Sequence, residues 1–403
     1  DHSFWSLRQS LKSELLEEVH GRALRQHRRS GLSATQIKRI TRALSAENTD
    51  ILTLGFARRF ATYKRAALLF SDPSRLARLL NDPKRRVLLI FAGKAHPHDV
   101  PGQQLIKVIH DFSRLPEFEG KIILLEGYDL ALGRKLVTGV DVWINTPEYP
   151  LEASGTSGQK AGINGVLNLS VLDGWWGEGY NGENGWAITP HGPDYEHTFR
   201  DREEGQELLD ILEKEVIPLY YDRNGHGYPE NWVKMSKASM KSLIPRYNAQ
   251  RMLMDYITRF YGPANRQRRI MSERECMPAR ELAKWKKHIA QAWPNVSARR
   301  IEPMPHQIAA GDSLPMEVAV KLNGIAAHEV AVECLVGVPS ETDDFVTHSS
   351  HLFHHTGAVH GDETFFRLDL QPSLSGLLYY KIRLYPTHPL LSHRFETGRM
   401  LWI

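Results

Sequence analysis

Cysteine is nearly absent from the sequence: two residues, Cys276 and Cys334, in 403. Two thiols cannot build a disulfide framework, so a reducing, cytoplasmic setting is expected. No run reaches about 18 apolar residues, which excludes a helix spanning a bilayer. Charge of one sign is not in excess either: 51 Lys and Arg against 47 Asp and Glu leave +4. With no clustered base-reading or stacking motifs, nucleic acid is not an expected partner. Low-complexity linkers and internal repeats are also missing. The N-terminus, DHSFWSLRQS, is not a signal peptide and carries no initiator methionine, which reads as a processed or excised piece.

What is present is ordinary for a globular protein: 41% hydrophobic and 24% charged residues. The length predicts two to three domains. Trp5, Leu7, Leu11, Leu15, Leu16 and Val19 recur at helical spacing and predict an amphipathic helix over 4–28. Ser33 is positioned to open a second helix ending near Leu44. Apolar runs at 50–57, 85–93, 121–128 and 140–147 predict buried strands. The stretches between them, YKRAALLFSDPSRLARLL and GQQLIKVIHDFSRL, predict helices. This alternation predicts an α/β fold with a parallel sheet covered on both faces, binding ligands at the carboxyl ends of its strands. Those ends carry Arg58-Arg59, Gly93-Lys94, Glu126-Gly127-Tyr128 and Asn145-Thr146. Residues 193–292 read as mainly helical. From Leu314 the pattern alternates with period two, predicting a small antiparallel β-sandwich with its boundary at 295–312. Its aromatic residues Phe365, Phe366, Tyr379, Tyr380 and Tyr385 read mainly as core.

Three segments carry candidate chemistry. The first is GFARRFATYKRA (55–66), in which Arg59 and Lys64 are placed at an expected loop–helix junction. Cations at a helix N-terminus oppose its dipole and call for a counter-anion. The second is FAGKAHPHD (91–99), with Lys94. His96, His98 and Asp99 make a weak metal set because Pro97 splits the histidines, and no metal is expected. The charge-dense runs 22–31 and 265–275 read as solvated helix faces. The third is PEYPLEASGTSGQKAGINGVLNLSVLDGWW (147–176). A glycine-rich turn can present backbone N–H groups to a phosphate, Lys160 follows it, and Glu152 precedes that lysine by eight residues. Walker spacing is not matched. Ser157-Gly-Gln-Lys160 matches the S-x-x-K of serine acyltransferases, with a later His355-Thr-Gly357, but the S-D-N element between them is missing.

Thr53–Ala66, Phe91–Pro97, Glu126–Asp129 and Glu152–Tyr180 together resemble the α-glucan (glycogen, starch or maltodextrin) phosphorylases, in particular the short bacterial and archaeal type. The resemblance runs from about residue 50 to 262 and returns in the terminal HPLLSHRFETG. It implies a GT-B glycosyltransferase fold with a Rossmann-like C-terminal domain, a pyridoxal 5'-phosphate (PLP) cofactor, and reversible phosphorolysis of α-1,4-glucan to α-glucose 1-phosphate with retention. It further implies that Lys160 holds PLP covalently and that Gly155, Thr156, Ser157, Gly158 and Tyr128 bind the cofactor. Arg59 and Lys64 take the role of substrate-phosphate cations. Glu152, Ala153, Ser154 and Gly155 face the glucosyl group, with Lys94 as a further cleft lysine. Gln159 departs from the expected methionine. The implied organisation is a helical segment 1–48, a PLP-binding domain 49–295 and a β-sandwich 312–403. The family's N-terminal half is expected as a missing partner, without which turnover is poor. A homo-oligomer is also compatible. Two alternatives stand beside this reading. Nucleotide-sugar transferases of the glycogen-synthase kind carry glutamates eight apart where this chain has Glu152 and Lys160. An inactive carbohydrate-binding relative would not need to keep Arg59, Lys64 and Lys160.

Overall fold

The structure is a computed structural model that describes residues 1–301, 308–309, 311–339, 345–374 and 376–403. Part of the expected 295–312 boundary therefore lies outside the described residues. The chain divides into two compact units, Asp1–Leu253 and Met254–Ile403.

The first unit runs α1 (His2–Arg29), α2 (Ala34–Ile40), β1 (Leu52–Ala57), α3 (Pro73–Leu80), β2 (Val87–Ala92), α4 (Val100–Arg114), β3 (Ile122–Leu125), α5 (Leu130–Gly139) and β4 (Val142–Asn145). It continues through α6 (Thr156–Ile163), β5 (Leu167–Val171), α7 (Trp175–Gly179), β6 (Gly185–Ile188), α8 (His197–Ile211), α9 (Ile217–Tyr221) and α10 (Glu230–Leu243). Every strand pairing is parallel, in the order β3-β2-β1-β4-β5-β6. The order reverses between β1 and β4, and that switch point is where open α/β sheets leave a crevice. Strand side chains alternate between two apolar layers. Val142 and Ile144 enter one core with Leu54, Phe56 and Leu169, while Trp143 enters the other with Leu88, Ile90 and Leu136.

Several local readings change. LNLSV, within the glycine-rich segment, and GWAI, beyond it, form β5 and β6, two strands not anticipated. The stretch from Tyr63 to Leu80 is not one helix. It makes two 3-10 turns, Thr62–Lys64 and Leu68–Phe70, before α3. Arg65 ends the first turn at φ 44°, held there by its guanidinium on the Thr146 and Pro147 carbonyls and on Asp201 and Glu204. In α1, Leu7 is exposed, whereas Arg8 and Lys12 are buried beside Leu15, Leu16 and Val19.

The second unit contains α11 (Gly262–Ala292), whose helical dihedrals fail at Glu273–Cys276. Pro278 lacks an N–H and its ring crowds the carbonyl of Arg274, which explains the break. The strands β7 (Ser297–Arg300), β8 (Leu314–Lys321), β9 (Val330–Pro339), β10 (Phe345–Leu352), β11 (His354–His360), β12 (Glu363–Leu370), β13 (Tyr379–Pro386) and β14 (Leu401–Trp402) follow. They form two antiparallel sheets, β10-β9-β13-β14 and β11-β12-β8-β7. Val318, Val320 and Phe366 from one sheet meet Val332, Cys334, Ile382 and Leu384 from the other in a shared core, which Trp285 and Ile289 of α11 join. Phe366 and Tyr385 are buried as expected for core, but Tyr379 is exposed.

Glu396 ties the terminal segment to α11. It accepts from Ser392 N at 2.8 Å and Ser392 Oγ at 2.7 Å, and it pairs with Lys286. Burial opposes its charge, but Lys286 and Ser392 outweigh that and lower its pKa from 4.5 to about 2. A depressed acid contributes stability above its unfolded pKa and loses it as pH falls through the folded one. Thermal melting of Glu396→Gln should therefore show a deficit of about 1–2 kcal/mol near neutrality, after allowance for screening of a partly exposed group. The deficit should vanish between pH 4.5 and about 2. A deficit that does not change with pH would contradict this assignment.

Candidate functional site

The carboxyl edge of the parallel sheet gathers the candidate residues. Beyond β1 and β2 the ladder continues through Arg58 N to Ala92 O (3.1 Å) and Phe60 N to Lys94 O (3.0 Å). This brings the backbones of Arg59 and Lys94 side by side at the edge. The turn after β1 is strapped to the end of β4. Glu148 N donates to Tyr63 O at 2.7 Å, and Thr146 Oγ1 donates to Lys64 O at 3.1 Å. Lys64 thus sits at the end of a 3-10 turn, not at a helix N-terminus, and the dipole argument for it does not apply.

Glu152 is the centre of the site. It is 6% exposed, and Lys64, 8% exposed, pairs with its Oε2. Arg58 Nη2 approaches Oε1 at 3.3 Å, while Arg58 Nη1 bonds Asn145 Oδ1 at the switch point. Asp173 Oδ2 accepts from Glu152 N at 2.8 Å and its Oδ1 from Gly174 N at 2.8 Å, fixing the loop that carries Glu152. A buried ion pair of this kind is costly to desolvate and holds only when well bonded. Arg58 shows the cost: burial lowers its pKa, against the opposing pull of Glu152. Its Nε is buried without a partner among the described residues.

The glycine-rich turn lies against Glu152. Gly155, at φ 95°, is the residue before α6. A Cβ there would lie 3.0 Å from Trp175 Cδ1 and 3.3 Å from Glu152 Oε1. At Gly158 a Cβ would lie 2.7 Å from Asn168 Oδ1 and 2.9 Å from Trp175 Nε1. Both positions admit only glycine without displacement, so the first turn of α6 stays close to the Glu152 loop. The N–H groups of Thr156 and Ser157 open the helix and have no intrahelical acceptor. Ala153, Ser154 and Thr156 are exposed, and Ser157 is partly so. Lys160 is exposed on α6, and its ammonium makes no hydrogen bond or ion pair among the described residues. The same holds for the exposed side chains of Arg59 and Lys94. Tyr128 is partly buried, its hydroxyl against Gly133. Burial raises its pKa, and nearby Arg58 pulls the other way.

The structure thus joins Lys64 directly to Glu152, and Gly155 lies beside them. Arg59 and Lys94 are neighbours on the edge, and Lys160 has no hydrogen-bond or ion-pair partner among the described residues. Sequence reasoning placed Arg58 and Asn145 at the polar strand ends without giving either a role, and it did not single out Asp173; these three organise Glu152. Lys64 and Arg58 together hold the single carboxylate Glu152, and Arg59, Lys94 and Lys160 are further cations of the three candidate segments. His96 and His98 lie on an exposed loop, and Asp99 accepts from Gly102 N at 2.9 Å to cap α4. No group of three potential metal ligands occurs among the described residues.

Residues 10–176 match the carbohydrate phosphorylase family, and residues 293–403 match the glycogen phosphorylase C-terminal domain. The chain belongs to the carbohydrate phosphorylase family. Relatives agree with this along the chain's length. Maltodextrin phosphorylase of Thermococcus litoralis is 37% identical over 407 residues, covering 100% of this chain and 46% of the relative. Glycogen phosphorylase of Mycobacterium tuberculosis is 36% identical over 98% of this chain and 46% of the relative. Glycogen phosphorylase of Aquifex aeolicus is 47% identical over 65% of this chain and 39% of the relative. The chain spans less than half the length of these relatives.

Proposed function

We propose that this chain forms the cofactor-binding side of an α-glucan phosphorylase of GT-B architecture. The full enzyme would transfer glucosyl units reversibly from α-1,4-glucan to orthophosphate. The relatives are about twice this length, so the activity and the glucan and orthophosphate partners are assigned to the whole enzyme. The observation that carries the reading is the contrast eight residues apart: Glu152 is gripped by Lys64 and Arg58, while Lys160 offers an unpartnered amine. A carboxylate at the second position would suit a ribose; an amine suits a carbonyl-bearing cofactor.

The residues fit PLP. Gly155 and Gly158 keep the turn free of side chains, α6 presents free N–H groups, and Arg58 Nε lacks a partner. In this reading Lys160 attaches the cofactor, and Gly155, Thr156, Ser157, Gly158 and Tyr128 surround it. Bound there, PLP supplies a phosphate that shares a proton with the substrate phosphate. Two phosphates side by side repel, and Arg59 and Lys64 provide the compensating charge. Lys64 must then leave Glu152 for orthophosphate. That frees the Glu152 carboxylate to accept hydrogen bonds from glucosyl hydroxyls, beside Ala153, Ser154 and Gly155, with Lys94 at the rim. Asp173 is committed to backbone N–H groups, so it does not pair with Glu152 for glycosidase-type chemistry.

The expected result of adding PLP to the chain is an absorbance band near the ultraviolet edge of the visible that survives gel filtration. A chain that retains no PLP would overturn this reading, and tight nucleotide binding without the band would favour the nucleotide-sugar alternative.

A further inference from the structure

A second concentration of positive charge lies away from the cleft just described. The last two turns of α1 and the turn between β3 and α5 enclose a cleft of about 600 Å³, lined by Arg22, Arg25, Gln26, Arg28, Arg29 and the Glu126–Gly127 backbone. Its walls are held in place. Gln26 Nε2 donates to Leu124 O at 3.0 Å, and Gln26 Oε1 accepts from Glu126 N at 3.0 Å. Arg22 reaches Gly127 O at 3.1 Å and both oxygens of Asp129. Arg29 pairs with Glu126 at 2.7 Å. Arg25 and Arg28 are exposed, and their side chains have no hydrogen bond or ion pair among the described residues.

The helix dipole accounts for basic residues in the last turn of α1, where His27, Arg28 and Arg29 lie. It does not account for Arg25 farther up, nor for the concave shape; Arg22 is engaged by Glu18 and Asp129. Four arginines meet three carboxylates, Glu126 in the lining and Glu18 and Asp129 on Arg22, so the positive charge left uncompensated is that of the unpaired arginines.

We propose that this cleft is a second anion-binding site, for a compact polyphosphate group, free or at the end of a nucleotide. Guanidinium forks match phosphate oxygens bidentately. The unpartnered Arg25 and Arg28 supply the donors, while Arg22, Gln26 and Arg29 fix the walls. The site does not depend on the function proposed for the sheet edge.

The test is calorimetric titration of pyrophosphate, and separately ADP, into the full chain, its Arg25→Glu/Arg28→Glu variant and its Arg59→Met/Lys64→Met variant. The first pair is exposed, and a thermal melt confirms that the fold is kept. Binding should weaken by at least about tenfold in the Arg25/Arg28 variant and persist in the Arg59/Lys64 variant. It should also weaken as salt is raised. Equal affinities for pyrophosphate and ADP assign the site to the free anion; tighter ADP assigns it to a nucleotide. Isotherms unchanged by the Arg25/Arg28 substitutions would overturn the proposal, and loss of binding only in the Arg59/Lys64 variant would locate all anion binding in the other cleft.

Discussion

Lys12→Met is expected to destabilise the first unit by about 3–5 kcal/mol, the cost of leaving a buried charge without its partner. Lys12 is fully buried. Its ammonium pairs with Asp141, bonds the Ile51 carbonyl, and lies 2.9 Å from Tyr220 Oη. Asp141 also accepts from Thr53 N at 2.8 Å, so the pair pins α1 to β1 at the mouth of β4. Burial lowers the Lys12 pKa, and Asp141 restores part of it. Arg8 adds a second anchor, donating to Val140 O at 2.6 Å and Asn164 O at 3.2 Å. Methionine fills a similar volume, so the loss comes from the uncompensated Asp141 and not from a cavity. Lys12→Met/Asp141→Asn should recover most of the stability, because a neutral amide can still accept from Thr53 N and leaves no uncompensated buried charge. Urea denaturation of both variants checks this. A double variant no more stable than Lys12→Met would contradict the account.

The second large effect concerns Lys160. Lys160→Met should abolish covalent retention of PLP while leaving the fold and its melting temperature nearly unchanged. The side chain is exposed and supports no contact that stabilises α6. The glycines and N–H groups of the turn stay in place, so any residual PLP binding in the variant should be reversible and removed by dialysis.

Much of the sheet was legible because β1 to β4 are short apolar runs flanked by polar ends. β5 and β6 escaped because Asn168 and Ser170 interrupt the first and a glycine begins the second. Both polar residues are buried, and each earns its place by bonding: Asn168 Nδ2 to Gly158 O, and Ser170 Oγ with Asn145. Lys12 and Arg8 were invisible as core because a helical pattern assigns charged residues to the outer face. Glu152 and Lys160 stood out by their spacing, and the roles of Glu152, Lys64 and Lys160 came from the family resemblance. Which of two adjacent arginines turns inward was not legible, since Arg58 is fixed by Asn145 and Glu152, far away in sequence. The expected helix after Lys64 failed for a similar reason. The long-range bonds of Arg65 impose a left-handed residue that local propensity would not choose.

The most direct test of the central claim is to equilibrate the chain with PLP, reduce with borohydride, remove free cofactor and map the labelled peptides. The account predicts stoichiometric label on the peptide containing Lys160, absent from Lys160→Met. Label on Lys64 or Lys94, or label spread over surface lysines and undiminished in the variant, would contradict it.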